Sequence, residues 1–240
     1  MTKKIKLFCI PYAGGSANMY NSWKSGLNSN IELCPIELAG RGNRITENPY
    51  QNLEEALEDI YDQVSEDILN YDYAIFGHSL GAMLAYELTQ KITSIGLNQP
   101  MHVFFSGRKP PHIHRKEKWS LLSSTEFEKK IMLLGGTPPE FFKYPELKEI
   151  FIPLLRSDFS LSETIVDRPE IIPLDTDISI LLGEDEGIPP ETSVQWYSHT
   201  TKKCNIQYFE GNHFFLLQQK EAILEIINEN LVQESLMVAM

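Results

Sequence analysis

The chain has 240 residues, of which 42% are hydrophobic and 22% charged, which fits one α/β domain or two small ones with a globular core. Its 33 acidic residues against 21 lysines and arginines give a formal net charge of −12, which argues against nucleic acid as a partner and against a general affinity for anionic membrane surfaces. No apolar run approaches the length of a membrane span.

The start, Met1-Thr2-Lys3-Lys4, is basic, but Pro11, Gly14 and Gly15 cut the following apolar run short, so no signal peptide is expected. Cys9, Cys34 and Cys204 are odd in number and scattered in spacing, which suggests neither a disulfide framework nor a zinc site. The cytoplasm is the expected compartment.

In chain order, Lys6 to Ile10 reads as a first strand running into the small-residue loop Pro11-Tyr12-Ala13-Gly14-Gly15-Ser16. A helix is predicted from about Met19 to Leu27, then a strand from Ile31 to Leu38 ending in Ala39-Gly40-Arg41-Gly42. A longer helix is predicted from about Leu53 to Leu69, with Leu53, Leu57, Ile60, Tyr61, Val64 and Ile68 on one stripe. Asn52 with Glu55 can cap it. Tyr73 to Phe76 is a short apolar run, followed by a glycine-flanked serine and a segment of helical rhythm. Met101 to Phe105 is a further strand, ending in Ser106-Gly107-Arg108. This βαβαβαβ order implies a parallel sheet with helices on both faces.

The alternation then stops over about residues 110–170, which read as an inserted helical lid within a single domain of residues 1–240, the alternative being a second packed subdomain with no gating role. Thr125 with Glu128 is the expected capping box of its first helix, and Gly135-Gly136-Thr137-Pro138-Pro139 its end. Leu147, Ile150, Phe151, Leu154 and Leu155 stripe a second helix, which Pro153 should kink or end. Hinges are expected at the Pro and Gly clusters. A strand from Ile178 to Leu182, a helix around Glu191 to Ser198, a strand from Asn205 to Phe209 and a final helix to about Leu231 complete the chain.

The chemistry concentrates in Gly77-His78-Ser79-Leu80-Gly81. A G-x-S-x-G turn between strand and helix holds its serine in strained geometry at a helix N-terminus, with no room for side chains two residues away on either side. Alone, the motif also fits a glycine-rich turn with a solvated serine. A nucleophilic serine needs a base and an acid that orients the base. His213 follows the last strand, and Asp185 and Glu186 follow the strand before it. The chain order serine, acid, histidine is that of the α/β-hydrolase fold. Successive side chains of a turn diverge, so only one of Asp185 and Glu186 is expected to reach His213. The backbone N–H groups of Leu80 and Ala13 are the candidate oxyanion hole. Among the other histidines, His78 is expected to be buried beside the serine, His102 to lie in a strand and His199 in a surface-like polar run. His112 and His114 lack a nearby third metal ligand.

The segments Pro11-Tyr12-Ala13-Gly14-Gly15-Ser16, Glu37-Leu38-Ala39-Gly40-Arg41-Gly42 and Gly77-His78-Ser79-Leu80-Gly81 together resemble the type II thioesterases of nonribosomal peptide and polyketide assembly lines. Leu134-Gly135-Gly136-Thr137-Pro138, Leu154-Leu155-Arg156-Ser157-Asp158-Phe159 and Gly211-Asn212-His213-Phe214-Phe215-Leu216 fit the same family, so the resemblance covers nearly the whole chain. It implies an editing enzyme that hydrolyses acyl groups from the phosphopantetheine thiol of acyl or peptidyl carrier proteins. It implies no cofactor of the enzyme's own and no metal. The chain departs from the family pattern at Ala39, usually Pro, and at Glu186, where the family's acid is usually Asp; counting from Gly183 favours Glu186 over Asp185.

A monomer is expected. Arg108, Lys109, Arg115, Lys116 and Lys118, with Arg41 or Arg44, are the expected carrier-facing cations. The competing readings are a general carboxylesterase or acyl-CoA thioesterase with the same machinery, and a non-catalytic binding protein on a hydrolase scaffold.

Overall fold

The computed structural model describes residues 4–114, 117–137, 139–166 and 170–237. Six strands form one sheet in the order β2-β1-β3-β4-β5-β6. They are β1 (Ile5–Ile10), β2 (Ile31–Pro35), β3 (Asp72–His78), β4 (His102–Ser106), β5 (Asp177–Gly183) and β6 (Cys204–Phe209). Every pairing is parallel, so all six carboxyl ends open on one rim. The four central strands, β1, β3, β4 and β5, are buried on both sides because both faces are covered, whereas the edge strand β6 exposes Asn205, Gln207 and Tyr208. Successive residues alternate between two cores: Phe8, Ile75, Val103 and Ile180 pack against one face, and Leu7, Ala74, Phe104 and Leu181 against the other.

The first face is covered by α1 (Leu53–Asn70) and α2 (Leu80–Ser94), and the second by Tyr20, Trp23 and α6 (Lys220–Met237). In α1, Ala56, Ile60, Val64 and Ile68 are buried at the four-residue spacing of a helix face. Asn52 caps it by accepting from the Glu55 N–H at 2.9 Å. The segment predicted as a helix over Met19 to Leu27 is a 3-10 helix, Ala17–Trp23, held by burial of Tyr20 and Trp23. Strand β2 stops at Pro35, short of Leu38, although Ile36 and Leu38 remain buried. The Glu191 to Ser198 region is a short α5 (Pro190–Ser193) continued by a 3-10 turn, Val194–His199.

Between β4 and β5 the chain leaves the sheet and forms α3 (Ser124–Leu134) and α4 (Pro145–Ser162). The capping box is Ser123 with Glu126, not Thr125 with Glu128, so α3 begins two residues earlier than its apolar pattern suggests. Pro153 neither ends nor breaks α4, which continues to Ser162. Pro153 and Glu149 lie on the exposed side of the helix, where water can satisfy the carbonyl that proline leaves without a donor. Phe127, Ile131, Leu155 and Phe159 join the two helices in a third, smaller core. No helix among the described residues is long and apolar enough to cross a membrane.

Candidate active site

The rim gathers the serine, the histidine and one of the two acids. Ser79 sits where β3 turns into α2, with φ 56° and ψ −108°; no other non-glycine among the described residues has positive φ. That backbone is strained for a residue with a Cβ. It is fixed by a 2.8 Å bond from the Ser79 N–H to the Ser106 carbonyl. The flanking glycines are needed for space. A Cβ on Gly77 would lie 2.1 Å from the Gly81 carbonyl oxygen, and one on Gly81 would lie 2.1 Å from that of Ile10.

His213 Nε2 lies 2.9 Å from Ser79 Oγ, and His213 Nδ1 lies 2.8 Å from Glu186 Oε2. A carboxylate only accepts, so Nδ1 carries the proton, and Nε2 is left to accept from the serine hydroxyl. The second carboxylate oxygen, Oε1, accepts from the Gly183 N–H at 2.7 Å. Both oxygens of Glu186 are thus held, in a side chain only 2% exposed. Asp185 points to solvent, and only its backbone N–H is used, donating to the Gly211 carbonyl at 3.0 Å. The turn after β5 therefore separates the two carboxylates and gives His213 to Glu186.

His78 is fully buried behind this group, with Nδ1 2.8 Å from Ser106 Oγ and its ring 5.1 Å from that of His213. Burial, and secondly the neighbouring His213, hold its imidazole well below the usual histidine range, so it stays neutral. The N–H groups of Leu80, in the first turn of α2, and of Ala13, in the loop after β1, donate to no other described residue. Both are available to a developing negative charge.

The loop carrying Ala13 is fixed by an ion pair that spacing did not reveal. Asp158 of α4 accepts from the Gly14 N–H at 2.7 Å and from both terminal nitrogens of Arg41 at 2.7 Å. Arg41 also donates to the carbonyls of Ala39 and Gly15, each at 3.3 Å. Both side chains are almost wholly buried, at 3% and 1% exposure. The expectation that Arg41 faces a docked carrier is therefore overturned: its charge is neutralised inside the protein. Arg44 is likewise taken, by Glu47 and Asp59. Arg115 and Lys116 lie outside the described residues. One signal for Asp158 was present: it falls among Leu154, Leu155 and Phe159 on the buried stripe of α4, where an unpaired charge is not tolerated.

His199 is also displaced from its expected surface position. It is buried, with Nδ1 3.1 Å from the Tyr86 hydroxyl and Nε2 2.8 Å from His112 Nδ1. Among the described residues, no group of three or more His, Cys, Asp or Glu could hold a metal ion.

Two cavities meet at the serine. One, of about 240 Å³, lies under α3 and α4 and is lined by apolar side chains, among them Ile131, Leu134, Phe151, Leu155 and Phe214. Gly136 lies flat on Phe214, where a Cβ would approach Cζ to 2.2 Å, so it is a contact to the site as well as a turn. The other, of about 180 Å³, is lined by Arg108, Lys109, His114, Ser162, Glu163 and Glu186.

The thioesterase domain model matches residues 5–231. The gramicidin S biosynthesis protein GrsT of Aneurinibacillus migulanus is 33% identical over 230 residues, covering 95% of this chain and 89% of that protein. The structure of ClbQ from the colibactin NRPS/PKS pathway superposes with a TM-score of 0.90 at 35% identity, covering 98% of this chain and 99% of that one. RedJ, a thioesterase from the prodiginine biosynthetic pathway in Streptomyces coelicolor, superposes with a TM-score of 0.86 at 32% identity, covering 94% and 85%.

Proposed function

This chain belongs to the thioesterase domain family, and from that membership we propose that it is a type II thioesterase that hydrolyses acyl groups from the phosphopantetheine thiol of carrier proteins in a nonribosomal peptide or polyketide assembly line. The observation that carries the reading is the hydrogen-bonded series Glu186–His213–Ser79 at the meeting point of an apolar and a polar cavity.

In this reading Ser79 Oγ attacks the thioester carbonyl carbon while His213 Nε2 takes the hydroxyl proton. The carbonyl oxygen becomes an oxyanion, met by the N–H groups of Leu80 and Ala13. Glu186 keeps the imidazole in the required tautomer and stabilises its positive charge. The C–S bond then breaks, and the departing sulfur takes the proton from His213. A water repeats the attack on the acyl-serine ester, giving its proton to His213, which returns it to Ser79 as the free acid leaves.

The test is one acyl group presented on a carrier protein, on coenzyme A and as a nitrophenyl ester. The carrier substrate is expected to give the largest kcat/KM. A nitrophenyl-ester preference with negligible carrier turnover would instead mark a general carboxylesterase.

A further inference from the structure

The insertion leaves the sheet after β4 and returns to it at β5, and its two ends meet at His199. His112, shortly after β4, places Nδ1 2.8 Å from His199 Nε2, with the two rings within 16° of parallel. Leu174, shortly before β5, donates its N–H to the His199 carbonyl at 2.9 Å. His199 is buried against the rings of Tyr86 and Trp196, whereas His112 is exposed.

Backbone carbonyls, which only accept, fix the direction of the hydrogen bonds at both ends of this series. The Glu191 carbonyl accepts from Gln195 Nε2 at 3.1 Å, so Gln195 Oε1 faces His112 Nε2 at 3.0 Å and must accept from it. A neutral His112 then accepts at Nδ1 from the His199 Nε2–H. A neutral His199 in turn accepts at Nδ1 from the Tyr86 hydroxyl, 3.1 Å away. At the other end the Ile172 carbonyl accepts from Gln90 Nε2 at 2.7 Å, and the same nitrogen donates to the Tyr86 oxygen at 3.0 Å. Every donor in the series has its acceptor when both imidazoles are neutral, and the series joins α2 to residues at both ends of the insertion.

An added proton has two seats, Nδ1 of either ring. On His199 it would make a buried charge. His112 can turn its charge to water and so takes the proton, and its Nδ1–H then points at the His199 Nε2–H, donor against donor. Among the described residues, Glu87, Arg108, His114 and Glu170 border a cavity of about 320 Å³ together with both rings, and Glu191 lies one turn before Gln195. These groups set the pH at which the proton arrives; the direction of the hydrogen bonds sets what it does. We propose that His112 and His199 form a proton-operated latch on the insertion, shut while both are neutral and opened when His112 is protonated. The latch acts on the roots of the insertion and not on the triad, so it does not depend on which acyl substrate the enzyme takes.

The experiment is hydrogen exchange of the whole chain, read by mass spectrometry at about pH 8 and about pH 5.5, a span over which a histidine changes charge. Protection is corrected for the chemical exchange rate at each pH and set against peptides of β1 and β3 in the same molecule. In the wild type, protection of the peptides covering residues 107–114 and 170–175 is expected to fall about tenfold more than the reference at the lower pH, the scale of one lost hydrogen bond. His112→Asn puts an amide oxygen in place of Nδ1 and does not titrate, so both peptides should stay protected at both pH values. His112→Phe has no acceptor and should leave them poorly protected at both. Position 112 is exposed, so neither variant disturbs the core. A wild-type response no larger than that of the reference overturns the latch, as does His112→Phe protected like the wild type at the higher pH. A His112→Asn response that follows the wild type also overturns it, by assigning the pH dependence to another group.

Discussion

The carboxyl rim of the sheet and the helical insertion above it are held in place by different means. At the rim, Ser79, Glu186 and His213 stand within a few residues of β3, β5 and the edge strand β6, strands locked by parallel pairing, of which β3 and β5 are buried on both faces. Their geometry follows from the sheet. Helices α3 and α4 have no such frame. They meet each other through Phe127, Ile131, Leu155 and Phe159, and α4 is tied to the rim by Asp158, which reaches both Arg41 and the Gly14 N–H. The rim is thus positioned by many cooperative backbone bonds, and the insertion by a few side chains. Perturbing the triad at the rim should change chemistry with little change in stability, and perturbing the insertion's anchor should change both.

After loss of the nucleophile itself, the largest effect is expected at the acid. Glu186→Gln should lower kcat by about 10³–10⁴, because it removes the charge that supports the imidazolium. Asp185→Asn, on the same turn, should stay within about twofold, since that side chain faces solvent. Steady-state kinetics on both variants, with circular dichroism to establish folding, decides the matter. A crippled Asp185→Asn beside a near-normal Glu186→Gln would reverse the two roles.

The anchor comes next. Asp158→Ala leaves the Arg41 charge buried without a partner and should lower the unfolding free energy by about 3–5 kcal/mol. The double variant Arg41→Met with Asp158→Leu should recover most of that stability in a denaturant titration, since an apolar pair can replace a buried ion pair. It should not recover kcat, because the Gly14 N–H loses its acceptor beside Ala13, the proposed oxyanion donor. Recovery of both would mean that the pair holds the fold together without positioning the loop.

Much of this molecule is legible in its residues, for physical reasons that differ between the two regions. Strand and turn signals are local: the run into Gly77-His78-Ser79 and the spacing from Gly183 to Glu186 carry the rim in short stretches of chain. The insertion depends on partners far apart. Arg41 and Asp158 are separated by 117 positions, and a lone arginine between Gly40 and Gly42 reads as an exposed loop cation. His199 in the polar run Tyr197-Ser198-His199-Thr200 is buried because Tyr86 of α2 and His112 after β4 close over it. The start of α3 slipped because Ser123-Ser124-Thr125 offers three adjacent hydroxyl caps, and the reciprocal bond of Glu126 selects the first.

The smallest effect concerns the rim's second histidine. The His78 imidazole is held below its ordinary value of 6.5 by burial. Below that value the unfolded chain binds a proton that the native state does not, so stability falls as the pH drops from 6.5 toward the native value. The carboxylates of Glu32 and Asp59, which partners hold below 4.5 and 3.8, act at lower pH. Thermal midpoints should therefore decline between pH 6.5 and 5, and His78→Gln should flatten that decline. An unchanged slope in the variant would assign the loss to other groups.

Transfer of the acyl group to Ser79 can be observed without a kinetic model. A carrier protein bearing an acyl thioester is mixed with the enzyme, quenched in acid within milliseconds to seconds, digested and mapped by mass spectrometry. The acyl mass is expected on the peptide containing Ser79, and on no other, and Ser79→Ala should give neither the adduct nor turnover, with kcat down by about 10⁴ or more. Hydrolysis of the carrier thioester by Ser79→Ala at a near wild-type rate, with no acyl mass on any serine of the native enzyme, would contradict a serine mechanism at this rim.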